Sequence, residues 1–213
     1  MPLSFQQQAD PVEYHLRWVE SLPELASGRV LLRIARDDEF GKIADYVRRN
    51  REHLRPWEPT RRAEYFTDDY WRGAPARERQ AAIQGKAYRF RIFLIGDETS
   101  IVGTVSLRDV VLGARRTATL GYSIDHAFCG RGLATEAAGI VLRFADDELK
   151  LKSVEATYVP WNAASARVLE KLGFKVRGVS RGSLRVNGSW HDQVIALRRA
   201  SGFSVRSEQT TNS

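Results

Sequence analysis

Between Leu120 and Ala137 the chain reads LGYSIDHAFCGRGLATEA, with Gly130 and Gly132 standing directly before a segment of helix-forming composition. Glycine lets the backbone turn there without steric strain. A turn that opens a helix also offers bare N–H groups at the positive end of the helix dipole, where phosphate binds. The motif is not the dinucleotide fingerprint, because no third glycine follows at the required spacing. A plain reversal of strand into helix would use the same two glycines. Further on, Asn162 precedes an apolar helix as an ordinary N-cap would, and Ser165 lies in that helix's first turn.

The elements that position these residues can be read from periodicity. Residues 11 to 26 are expected to be partly helical, interrupted at Pro23. Arg29 to Arg36 alternates as a strand, and Asp37 or Asp38 is expected to cap a helix reaching about Arg51, with Phe40, Ile43, Ala44 and Val47 on one face. Pro56 and Pro59 stop that helix. Thr67 to Gln84 has helical composition with weak breaks at Gly73 and Pro75, after which Tyr88–Ile95, Ile101–Val111 and Thr117–Asp125 read as three strands. The helix after the glycine turn buries Leu133, Ala137, Ile140, Val141, Phe144 and Ala145. Ser153–Val159 is a strand and Asn162–Leu172 a short helix. Phe174–Arg185 and His191–Leu197 form a final pair around the hairpin signal Asn187-Gly188. Strand, two helices, three strands, helix, strand, helix and two strands make a mixed α/β sheet with helices on its faces.

A chain of 213 residues suits one substantial domain. No apolar run approaches the roughly 18 residues of a membrane span, and the N-terminus lacks the pattern of a signal peptide. A cytoplasmic protein without membrane contact is the expectation, and a lone Cys129 excludes an internal disulfide framework. The net charge of +7 favours anionic partners without choosing among nucleic acid, a phosphorylated cofactor and simple solubility. The densest basic group, Arg48, Arg49, Arg51, Arg55, Arg61 and Arg62, is interleaved with Glu52, Glu58 and Glu64, which reads as a solvated face.

Three blocks carry a family likeness: GRGLATEA at 130–137, Asn162-x-x-Ser165, and LEKLGF at 169–174. Together they resemble the GCN5-related N-acetyltransferases (GNAT). Within that superfamily NREHLRPWEP at 50–59, LGYSI at 120–124 and NGSWHD at 187–192 are similar to the RimJ/RimL branch, which acetylates N-terminal amines of ribosomal proteins, and to its RimJ side most. The likeness runs from about Arg29 to Arg199. It implies an α/β fold with a mixed, mostly antiparallel sheet of about seven strands flanked by about four helices. The implied organisation is an extension over 1–28, the acetyltransferase domain over 29–200 and a disordered tail over 201–213.

The resemblance also implies acetyl-CoA as co-substrate, with no metal. The amides of Arg131, Gly132, Leu133, Ala134 and Thr135 after Gly130 would hold its pyrophosphate, and Asn162 would lie beside the pantetheine arm. Ala127 stands where the superfamily usually has Gln or Arg, a tolerable loss where backbone carries the phosphate. Tyr122, Ser123 and Ile124 would line the thioester, with an Ile124 amide as oxyanion donor. Many members place a tyrosine where this chain has Leu169, which leaves Ser165 as general acid, as in RimL-like enzymes, and Tyr158 as a second donor. A small polar residue in a helix's first turn equally suits Ser165.

An N-terminal amine, with pKa near ~8, needs only a modest base or a water relay. Glu58 and Asp192 are the candidates for that base. Glu136, in a helix's first turn, mainly complements the dipole. Trp57 and Trp190 would wall the acceptor, an Ala or Ser N-terminus of a ribosomal protein. The other readings are a small amine, an antibiotic or a lysine side chain as acceptor, and a non-catalytic module that binds ribosomal RNA or the ribosome. Monomer and homodimer both remain open.

Overall fold

In a computed structural model, which describes residues 21–186 and 188–200, eight strands form one sheet in the order β1-β2-β3-β4-β5-β6-β8-β7. The strands are β1 (Glu24–Ala26), β2 (Val30–Arg33), β3 (Tyr88–Leu94), β4 (Gly103–Val111), β5 (Thr117–Ile124), β6 (Ser153–Tyr158), β7 (Lys175–Val186) and β8 (Ser189–Arg199). All neighbours run antiparallel except β5 and β6. That parallel pair needs a crossover, supplied by the longest helix, α5 (Leu133–Asp147). The other helices are α1 (Phe40–Arg49), α2 (Arg51–Leu54), α3 (Asp68–Trp71), α4 (Ala74–Ile83) and α6 (Ala163–Lys171).

The alternation in YRFRIFL at 88–94 decides which side of the sheet does what. Tyr88, Phe90 and Ile92 are fully buried beneath α5, with the Phe144 ring edge-on to Tyr88 at 5.2 Å and to Phe90 at 5.8 Å. Arg89 and Arg91 point the opposite way, in register with Ser106 and Thr104 of β4 and, through them, with Gly121 and Ser123 of β5. That polar face is overhung by α1, α2 and the loop from Arg55 to Arg61. A smaller core of Ile43, Tyr46, Val47, Trp71, Phe93 and Ile101 fastens this overhang to the sheet.

Two sequence expectations give way here. Glu24–Ala26 extends the sheet instead of forming part of a helix; it pairs with Leu31–Arg33, and such short edge strands follow tertiary pairing more than local propensity. The remainder of the expected helix, 11 to 20, lies outside the described residues, as does the tail 201–213. The start of α1 is the second difference. Asp37–Glu39 form a 3-10 turn, and the carboxylate of Glu39, not of Asp37 or Asp38, accepts the Arg36 N–H at 2.9 Å. The same buried carboxylate pairs with Arg33. The expected helix also breaks at Asn50, so that α1 and α2 are separate.

Among the described residues no helix is long and apolar enough to cross a membrane.

Candidate active site

β5 and β6 pair only from Thr117 to Leu120. Beyond that point β5 stays with β4 while β6 stays with β8, with Tyr158 opposite Val194, so the two strands part into an opening. The Asp125 N–H bonds the Val102 carbonyl at 2.9 Å. Because amide directions alternate along a strand, the Ser123 N–H faces β4 and the Tyr122 and Ile124 N–H groups face the opening.

The glycine turn closes one end of this opening. Gly130 and Gly132 have φ of +76° and +79°, a region that costs other residues roughly 1–2 kcal/mol. Gly132 is the N-cap of α5 and offers no side-chain acceptor. The N–H groups of Leu133, Ala134 and Thr135 therefore lack intrahelical partners, and the Glu136 N–H is the first to bond, to the Gly132 carbonyl at 3.1 Å. Arg29 braces the turn from behind by donating to the Arg131 carbonyl at 3.0 Å and to Glu136 at 2.7 Å. Ser27 donates to the same carboxylate at 2.5 Å. Burial works to raise the Glu136 pKa, but these hydrogen bonds hold it below the usual carboxylate range. Glu136 thus anchors the turn as well as facing the helix dipole.

A cleft of about 670 Å³ runs from this turn along the strand opening. Tyr122, Ser123, Ile124, Gly130, Gly132, Leu133, Ala134, Thr135, Asn162 and Ser165 all line it, as does Tyr158. Of the residues expected around coenzyme A, only Arg131 lies outside the lining; its guanidinium stacks 5.1 Å from the Phe128 ring. The unpaired amides and the glycines at positive φ fit a phosphate, and the parted strands leave room for an extended arm.

Asn162 caps α6 as expected, accepting the Ser165 N–H at 3.0 Å. The Tyr122 hydroxyl donates to the Ser165 carbonyl at 3.2 Å, and burial pushes the Tyr122 pKa up to about 12. Ser165 is thus held at both backbone ends, and its side chain lies in hydrogen-bond contact with the Tyr122 hydroxyl. Leu169 is only 3% exposed, within the core. At the far end of α6 the Gly173 and Phe174 amides bond Glu170 and Leu169, both at 3.0 Å, in a Schellman closure that makes Gly173-Phe174 structural.

A second cavity, about 460 Å³, lies between the polar sheet face and the overhang. Leu54, Trp57, Glu58, Arg108, Gly121, Tyr122, Thr157 and Gln193 line both it and the first cleft, so the two meet there. Burial raises the Glu58 pKa although Arg61, Arg89 and Arg108 pull it down. The overhang is tied to the end of β5 by Asn50, whose buried amide donates to Asp125 at 3.0 Å and accepts the His126 N–H at 2.9 Å. Arg49 adds a hydrogen bond to Asp125 at 2.5 Å.

Asp192 and Trp190 are not brought to either cavity. The Asp192 carboxylate accepts the Gly182 N–H at 2.9 Å and pairs with Arg181 at 2.8 Å, which lowers its pKa and anchors an irregular stretch of the β7–β8 ladder. Trp190 is 66% exposed near the hairpin end. Conversely, Arg51, Arg55 and Arg61, read as a solvated face, line the second cavity, and Tyr46, Arg89, Arg91 and Gln193 join them unanticipated. The alternation of YRFRIF held the signal for Arg89 and Arg91, since arginine at every second strand position must face something polar. His53 and Cys129 meet at 3.5 Å beside the first cleft.

Two adjoining cavities, one ending in a phosphate-type turn and the other lined by a carboxyl of raised pKa, give room for two substrates side by side. The chain belongs to the acetyltransferase (GNAT) domain family, which it matches over residues 29–175. It is 38% identical over 149 residues to the Probable N-acetyltransferase YjcK of Bacillus subtilis (strain 168), covering 70% of this chain and 82% of that one. It is 32% identical over 171 residues to the [Ribosomal protein uS5]-alanine N-acetyltransferase of Escherichia coli (strain K12), covering 80% and 88%. Among solved structures, Mycobacterium smegmatis RimJ in complex with CoA-disulfide superposes with a TM-score of 0.77 at 27% identity, covering 88% and 91%.

Proposed function

We propose that this acetyltransferase moves the acetyl group of acetyl-CoA directly to the N-terminal amine of a protein, a ribosomal protein beginning with Ala or Ser. The observation that carries the reading is the junction of the two cavities at Glu58 and Tyr122, which lets donor and acceptor be held at once. The similarity to an alanine N-acetyltransferase over most of both chains supports the choice of acceptor.

The chain's own groups then divide the work. The amides of Leu133, Ala134 and Thr135, helped by the Thr135 hydroxyl, hold the pyrophosphate, and Asn162 borders the pantetheine arm. When bound, the thioester supplies an activated acetyl group. Glu58 accepts a proton from the acceptor amine, directly or through water. The Ile124 N–H lies where negative charge grows on the carbonyl oxygen, and a preorganised donor there is worth about 10²–10³ in rate. The C–N bond forms as the C–S bond breaks, and the Ser165 hydroxyl gives its proton to the departing sulfur. Positioning supplies most of the remainder. Asp192, committed to Arg181 and Gly182, is left to structure.

Incubation with acetyl-CoA and a panel of peptides with free Ala or Ser N-termini, N-blocked lysine peptides and small amines checks this by mass. Acetylation of the peptide α-amines is expected. A mass gain confined to small amines would reject the acceptor, and tight salt-sensitive RNA binding with no turnover would reject the enzyme.

A further inference from the structure

The acceptor cavity is lined by six arginines, Arg51, Arg55, Arg61, Arg89, Arg91 and Arg108, against the single carboxylate of Glu58 among the described residues. Some of this charge is met from outside the cavity. Glu78 pairs with Arg91 at 2.5 Å and with Arg89 at 3.7 Å, and Glu52 pairs with Arg55 at 3.0 Å. Arg61 stands 3.8 Å from Glu58. The excess remains. Arg51 is stacked 4.6 Å from the Phe66 ring, with no carboxylate partner among the described residues. Arg108 likewise has no ion pair there, and its guanidinium hangs over Gly121, where an added methyl would touch it at 3.5 Å. Arg91 is buried with its Nε unpartnered.

Such a cavity repels an ammonium ion and so favours the neutral amine that the reaction needs. It does not by itself hold that amine in place. We infer that the acceptor peptide carries a carboxylate side chain at its second or third residue, received by Arg108 and Arg89; this rests on the acceptor being a peptide N-terminus. The spacing of the sheet supplies the register. The amine sits where the cavities meet over β5, and β3 lies two strands away, about 10 Å at ~4.8 Å per strand. An extended chain advances about 3.4 Å per residue, so a peptide crossing the floor passes Arg108 beside Gly121 first. It reaches Arg89, in register with Ser106 and Gly121, by its third residue.

The test compares kcat/KM for peptides beginning Ala-Glu-Glu, Ala-Gln-Gln and Ala-Lys-Lys, alike in every later position, with phosphoethanolamine as a small anionic amine. A preference for the acidic peptide over the Gln peptide of about tenfold or more is expected. It should reside in KM and shrink as salt shortens the screening length. Arg108→Gln and, separately, Arg89→Gln should bring the ratio toward one, and Arg108→Glu should turn it toward the Lys peptide. Equal rates for the three peptides, or a preference unmoved by these substitutions, would overturn the inference while leaving N-terminal acetylation standing. If phosphoethanolamine alone is acetylated, the peptide acceptor itself fails, and the arginines serve a small anion instead.

Discussion

A carboxyl that takes a proton from an amine works better as its pKa is drawn toward that of the amine, and burial moves Glu58 in that direction against three arginines. The sign of the pH dependence follows. Glu58 must be ionised to act, so the rate should fall as pH drops through its raised pKa, above the ordinary ~4.3 of glutamate. Glu58→Gln should lower kcat by about 10²-fold or more and remove that limb, leaving the one set by the amine. Ser165→Ala should lower kcat by a similar factor while the dissociation constant of coenzyme A barely moves, because the backbone contacts that seat Ser165 do not involve its hydroxyl. Unchanged turnover in Ser165→Ala would return that residue to a purely structural place in α6.

At the scale of elements, one buried pair pins the start of α1, the helix that overhangs the second cavity. Glu39 is 3% exposed and its pKa falls to about 2: burial opposes this, but Arg33, the Arg36 N–H and Lys42 at 3.1 Å outweigh it. A depressed carboxyl contributes stability above its unfolded pKa of ~4.3 and loses it as pH falls through the folded value. Stability from this pair should therefore fade between about pH 4.3 and 2. Glu39→Gln at neutral pH strands a buried guanidinium, at a cost of about 3–5 kcal/mol, or roughly 10 °C in a thermal melt. A melt unmoved in the variant would show that Glu98, 3.1 Å from Arg33, suffices alone. Strands β2 to β8 and helices α5 and α6 were legible in the sequence because their apolar periods, N-cap and glycines are local signals, whereas β1 was not. The Glu39 cap was not, since its carboxylate answers to Arg33 on a neighbouring strand. Nor was the role of Arg51, Arg55 and Arg61. Interleaved glutamates make a helix and loop look solvated, and only the fold lays them over Arg89 and Arg91. Asp192 and Trp190 misled for the opposite reason: their motif is local to the hairpin, while the cavity draws Gln193 from the same strand.

For the whole molecule, the net charge of +7 had no address in the sequence; the structure concentrates part of it in the second cavity. The opening between the parted strands β5 and β6 runs from the phosphate-type turn to that cavity. The clasp of Asn50, Asp125 and Arg49 fixes the overhang against the residue that follows Ile124. The central claim, direct transfer between two cavities filled together, is tested by initial rates over a matrix of acetyl-CoA and Ala-terminal peptide concentrations. Double-reciprocal lines that intersect, with the acetyl group found on the peptide α-amine, are predicted. Parallel lines accompanied by an acetylated enzyme would contradict it.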